Sequence, residues 1–186
     1  MRNHTHPTAA KAKAEAGLAA GPLPADPAEG AAILAVRRPA SFTAKVLASP
    51  PNTVLSWRRR FWPDRERGSP WTVADILTAD LALALSSAGL NVTDSFTVAR
   101  TAERELGIWQ HVLTNDPEPI LLALRPPGRT PVGLWGCSLH RASAPPVHQG
   151  EVELICDVSS IARAMMVRVA TEMRRENEEG GAYGTA

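Results

Sequence analysis

The chain has 186 residues, 44% hydrophobic and 21% charged, which suits an ordinary folded protein of one medium domain or two small ones. A formal net charge of +1 gives no global basic field toward nucleic acid or membrane, and no apolar run approaches the ~20 residues of a spanning helix. Two cysteines, Cys137 and Cys156, are too few for a disulfide framework, so a soluble protein of the reducing cytoplasm is expected.

Charge is unevenly distributed. From Val36 to Pro70 there are eight Lys/Arg against two acidic residues, a net of +6, whereas from Glu151 onward four Arg face seven acidic residues, a net of −3. This predicts a basic working surface in the first half and an acidic end.

Residues 1–30 are rich in Ala, Pro and Gly and bury too little apolar surface to offset chain entropy, so a disordered tail is expected there. His4 and His6 are read as solvated tail residues. Ser41 is placed to cap a short helix carrying Phe42, Val46 and Leu47. Pro50 and Pro51 suit the turn and first position of a second helix, from about Asn52 to Phe61, with Val54, Leu55 and Trp57 as its apolar contacts. The run after Pro63, DRERGSP, reads as a loop or tight hairpin.

Thr72-Val73-Ala74-Asp75 fits a capping box at the start of a third helix. Val73, Ile76, Leu77, Leu81, Ala84 and Leu85 form its apolar stripe, Asp80 is the polar exception, and Gly89 is placed to end it. A further helix is expected from Thr93 or Asp94 to about Leu113, with Phe96, Ala99, Leu106 and Trp109 buried.

Two short helices joined by a tight turn, the second ending in Trp57-Arg58-Arg59-Arg60, suggest a helix-turn-helix. A second helix laid in the major groove presents short polar residues to base edges while arginines at its margins hold phosphates. Asn52, Thr53 and Ser56 are the short polar readers; Arg58, Arg59 and Arg60 fan around the helix, and Lys45 adds charge from the first helix.

The order of elements over residues 42–95 resembles the N-terminal winged helix-turn-helix of MerR-type transcription regulators. The resemblance rests on Trp57, on Arg65 and Arg67, on Trp71-Thr72-Val73-Ala74-Asp75-Ile76, and on Leu85-Ser86-Ser87-Ala88-Gly89-Leu90. It implies that Asn52, Thr53 and Arg58 to Arg60 occupy recognition-helix positions. Arg65 and Arg67 would occupy the wing, with Arg67 at a phosphate or the minor groove.

Asn115-Asp116-Pro117-Glu118-Pro119 marks an expected boundary, followed by β-like runs at Ile120–Leu124, Val132–Leu139 and Val152–Val158. A last helix starts at Asp157 or Ser159, with Ile161, Met165, Val169 and Met173 in register, and residues 179–186 read as a flexible tail. Cys137, His140, His148 and Cys156 have the residue types of a zinc site, but three positions along a strand put Cys137 and His140 on opposite faces. Gly133-Leu134-Trp135-Gly136-Cys137-Ser138 fits neither a phosphate loop nor a nucleophile elbow, so no metal, cofactor or catalysis is expected.

The expected fold class is α+β. A tail over 1–30 precedes a winged helix-turn-helix domain over 31–114, then a three-stranded sheet plus helix over 115–178 for dimerisation or sensing. The expected function is a sequence-specific regulator binding double-stranded DNA as a homodimer, without membrane attachment. The alternative is a structural or adaptor protein, such as a phage or mobile-element packaging factor, that uses the helical unit for protein contacts.

Overall fold

Proline stands at three of the helix starts in the first half, as Pro27, Pro39 and Pro51. A computed structural model describes residues 27–182 except Arg67 and residues 114–117, 130–134 and 146–153. Helix α1 (Pro27–Leu34) begins inside the segment expected to be disordered, because Ile33 and Leu34 have a core to enter, at 2% and 7% exposure. His4, His6 and the rest of that tail lie outside the described residues. Strand β1 (Arg37–Arg38) leads into α2 (Ala40–Val46). Pro39, not Ser41, occupies the cap: its fixed φ of −68° already suits helix entry, and Ser41 lies exposed within the first turn.

The turn after α2 is closed by main-chain bonds. Ala48 N–H donates to Lys45 O at 3.1 Å and Ser49 N–H to Ala44 O at 2.9 Å, the paired bonds of a Schellman C-cap. That motif puts Ala48 at φ 48°, left-handed backbone that glycine adopts without its Cβ clashing. Ala48→Gly is therefore expected to stabilise the protein by about 0.5–1 kcal/mol. The check is the midpoint of thermal unfolding; an unchanged or lowered midpoint would show that the turn carries no such strain.

Helix α3 (Pro51–Phe61) starts as expected, with Pro50 at its cap and Pro51 in the first position. The charged loop after it is not a hairpin. Among its described residues there is no strand until β2 (Trp71–Thr72), which pairs antiparallel with β1 upstream, Arg37 opposite Thr72 and Arg38 opposite Trp71. Helix α4 (Val73–Ser87) follows with the expected capping box: Asp75 N–H donates to Thr72 Oγ1 at 3.1 Å, and Thr72 N–H to Asp75 Oδ2 at 3.0 Å. Gly89, at φ 109°, ends it.

Helix α5 (Val92–Leu106) and α6 (Ile108–Val112) replace the single helix expected to about Leu113. Gly107 at φ 56° breaks the ladder, and the redirected chain buries Ile108 and Trp109. The Trp109 indole N–H donates to Thr78 Oγ1 at 2.9 Å, satisfying a polar group inside the core.

The three expected strands are β3 (Ile120–Arg125), β4 (Gly136–Arg141) and β5 (Leu154–Asp157), antiparallel in the order β4-β3-β5. Helix α7 (Val158–Ala182) extends through residues expected to fray, and residues 183–186 lie outside those described. Ser159, buried at its first turn, accepts the Ile120 N–H at 2.8 Å and so ties helix to sheet.

Met165, Met166, Val169 and Met173 bury one face of α7, which packs on β3, α2, α4 and α6. The apolar core is consequently continuous from Ile33 to Met173, on both sides of the boundary expected near residue 115. Asp80, the polar exception on α4, meets this helix: Arg168 donates to its two oxygens at 3.1 and 2.9 Å. Burial raises the Asp80 carboxyl above its ordinary pKa, with Arg168 opposing.

Candidate nucleic-acid interface

Helix α3 divides along its length. At 100° per residue Val54, Trp57, Arg58 and Phe61 share one arc, and the structure buries Val54 and Arg58 and half-buries Trp57 and Phe61. The opposite arc, running from Leu55 through Arg59, Asn52 and Ser56 to Arg60, is exposed. Thr53 lies at its margin, half-buried. Leu55, expected as a core contact, instead stands 37% exposed on the outer arc.

The buried arc is anchored by aromatics. Phe61 stacks on Phe96 of α5, with ring centroids 4.2 Å apart and planes at 1°; Trp57 lies 5.4 Å and Trp62 5.9 Å from the same ring. Trp62 meets Trp71 edge-on at 5.0 Å. The few aromatics of the chain are thus concentrated where α3 meets α5 and β2.

Arg58 belongs to this core. Its guanidinium sits 4.8 Å from the Trp71 ring and 5.9 Å from that of Trp62. Nη1 donates to Asp75 Oδ2 at 2.9 Å, and Nη2 donates to Ser69 Oγ at 3.2 Å and Pro70 O at 2.9 Å. Asp75 is fully buried, so its single carboxylate serves both the cap of α4 and the Arg58 pair. Arg58 is corrected from an expected DNA contact to a core residue, because all but 7% of its side chain is enclosed.

The remaining expected contacts divide three ways. Arg59 is exposed and, among the described residues, free of hydrogen bonds and ion pairs, as are the side chains of Asn52 and Ser56. Arg60 is exposed, donates to Thr93 Oγ1 at 2.8 Å and lies over Phe61. Lys45 is turned toward α7, where it pairs with Glu172 at 3.1 Å. Arg65 points a nitrogen to 4.0 Å from Asp75 Oδ1 and keeps 44% of its side chain exposed. Arg67 lies outside the described residues. The structure thus brings Asn52, Ser56, Arg59 and Arg60 onto one surface and leaves Lys45 and Arg58 off it.

A second cluster supports α3 from below. Arg100 of α5 lies 5.1 Å from the Trp62 ring and pairs with Asp64 at 3.2 Å and Glu103 at 3.0 Å. Burial raises the Glu103 pKa; Arg100 pulls it down, while the nearby Asp75 pushes it up. Arg37 belongs to the basic segment but to none of the expected DNA contacts. The pairing of β1 with β2 brings it beside α3, a juxtaposition that no local pattern encodes.

The cysteines lie on the neighbours of β3, Cys137 opposite Leu124 and Cys156 opposite Leu122, on the face turned toward the core. Burial raises both thiol pKa values, that of Cys156 to about 11, which suits small apolar packing residues. His140 instead meets Ser138 at 2.8 Å, and His148 lies outside the described residues. Among the described residues no three His, Cys, Asp or Glu side chains gather as metal ligands, and no helix is long and apolar enough to cross a membrane. No protein-family model matches the chain, and no curated protein sequence matches it.

Proposed function

We propose that this chain is a DNA-binding transcription regulator whose α3 is a recognition helix, working as a homodimer on a two-fold site. The observation that carries this reading is the division of α3. Its aromatic arc is spent on the core, while Asn52, Ser56, Arg59 and Arg60 share the outer arc. Short polar groups flanked by arginines are the chemistry that reads base edges and holds phosphates. The short helix, the turn, the second helix and the Thr72-capped third helix follow in the order behind the resemblance to MerR-type regulators, but the charged loop between them forms no wing hairpin among its described residues. One short helix per subunit needs a second copy to reach useful affinity.

Fluorescence anisotropy with random duplex DNA across a salt series tests it. Binding should weaken linearly in log–log form, and Arg59→Ala should reduce the slope by about 0.9, one phosphate's worth of counterion release. Selection from random duplexes then separates a sequence-specific regulator from a general DNA binder. Absence of salt-dependent binding to any duplex would sink the proposal and favour an adaptor that docks protein on the same surface. The exposed Leu55 is the feature that suits that second reading.

A further inference from the structure

Beside α3, on its Leu55 edge, lies a groove of about 410 Å³ bordered by Arg37, Arg38, Leu55, Gly68, Ser69 and Trp71. We infer that this groove seats a backbone phosphate of duplex DNA and that Arg37 is the residue that holds it. The inference rests on the proposed reading of α3 and adds a contact outside the helix-turn-helix.

Three observations converge. First, β1 pairs with β2 in a fixed register, and in that two-residue strand Arg37 is exposed while Arg38 turns inward, its guanidinium 5.3 Å from the Phe42 ring. Arg37 has no hydrogen bond or ion pair of its side chain among the described residues. Second, the facing wall has a bare backbone. Gly68 holds φ +82°, and a Cβ added there would meet nothing within 4 Å, so a bulky oxyanion can approach the chain closely. Third, the floor contributes no net charge, since Asp75 balances Arg58. Arg37 is therefore the lining cation that no acidic side chain among the described residues neutralises, with Arg65 nearby.

The geometry of a duplex gives the groove its place. A helix about 10–12 Å across fills a major groove about 12 Å wide, so a sugar-phosphate strand runs along each edge of the helix. Arg60 marks one edge of α3, steadied by Thr93; the Arg37 groove lies along the other. Phosphate contacts on both edges fix the register and tilt of the helix without reading sequence.

The full-length protein with random duplex DNA tests this. Arg37→Ala should weaken binding equally across sequences and reduce the log–log salt slope by about 0.9, Arg37→Lys should keep the slope, and Arg163→Ala on α7, which borders neither side of α3, should leave it unchanged. Unfolding midpoints should match wild type for all three, because both positions are exposed. If wild type shows a salt-dependent slope that Arg37→Ala leaves intact, the phosphate seat is wrong while the proposed function stands. If wild type itself binds no duplex, the proposed function fails first.

Discussion

Arg58→Ala should cost about 3–5 kcal/mol of folding stability, because it strands a fully buried carboxylate. Without the arginine, Asp75 keeps the Thr72 amide as its one hydrogen bond, with Arg65 a further 4.0 Å contact whose side chain is 44% exposed. The guanidinium also bridges α3 to Ser69 and Pro70 and fills space between two tryptophans, so one truncation loosens α3, the loop and the start of α4 together. Urea unfolding followed by tryptophan fluorescence measures the loss. Replacing both partners, Arg58→Met with Asp75→Leu, should recover part of it, since an apolar pair needs no desolvated charge while the Thr72 amide loses its cap. A loss below about 1 kcal/mol for Arg58→Ala would mean that water reaches Asp75 and that the pair is not a core element. Arg59→Ala is the contrast: an exposed position should stay within about 0.5 kcal/mol of wild type, and under the proposed function it should reduce DNA affinity. Replacing the whole triplet would confuse these effects, as lost binding would then report unfolding.

The contrast between Arg58 and Arg59 also shows where sequence reasoning ends. The existence of α3, its proline start, the capping box of α4 and the terminating Gly89 are local properties, set by φ restrictions and side-chain caps within a few residues, and they were legible. Rotation of α3 about its axis is not local. It depends on which side of the helix meets Phe96 and Trp71, 35 and 10 residues beyond Phe61, and three consecutive arginines give no hint of which one turns inward. A signal did exist: Trp57, Phe61 and Val54 define an inward arc, and Arg58 follows Val54 by four residues, one turn along the same face. Asp75 was legible as a cap and not as an ion-pair partner, since the second role comes from a residue 17 positions away.

The same logic accounts for the other differences. Asp80 looked like a flaw in an apolar stripe and is instead a docking point for Arg168, 88 residues later. Lys45 lay in the most basic segment, yet Glu172 of α7 takes its charge. Both pairings use the C-terminal helix, whose placement on α2 and α4 cannot be read from a break at residues 115–119. Net charge by segment therefore overstated the free positive surface, because part of it is consumed by contacts between segments.

Phe96→Ala should give the second large effect, about 3–5 kcal/mol, by opening a cavity under α3. Phe96 is 1% exposed and is the ring that Trp57, Phe61 and Trp62 all face. Trp57 and Phe61 are only half-buried, so they have solvent as an alternative once their wall is gone, and α3 has little else apolar to hold its rotation except Val54. Urea unfolding should show the loss, and near-ultraviolet circular dichroism of the folded variant should show weakened aromatic signals at unchanged helix content. Phe96→Leu keeps most of the apolar volume and should cost about 1–1.5 kcal/mol. If the proposed function holds, DNA affinity measured where each variant is fully folded should fall for Phe96→Ala and hold for Phe96→Leu, although position 96 does not reach the outer arc. A Phe96→Ala protein that binds DNA as wild type does would mean that α3 keeps its orientation without the aromatic anchor, and would assign that role to Val54 and the Arg58–Asp75 pair.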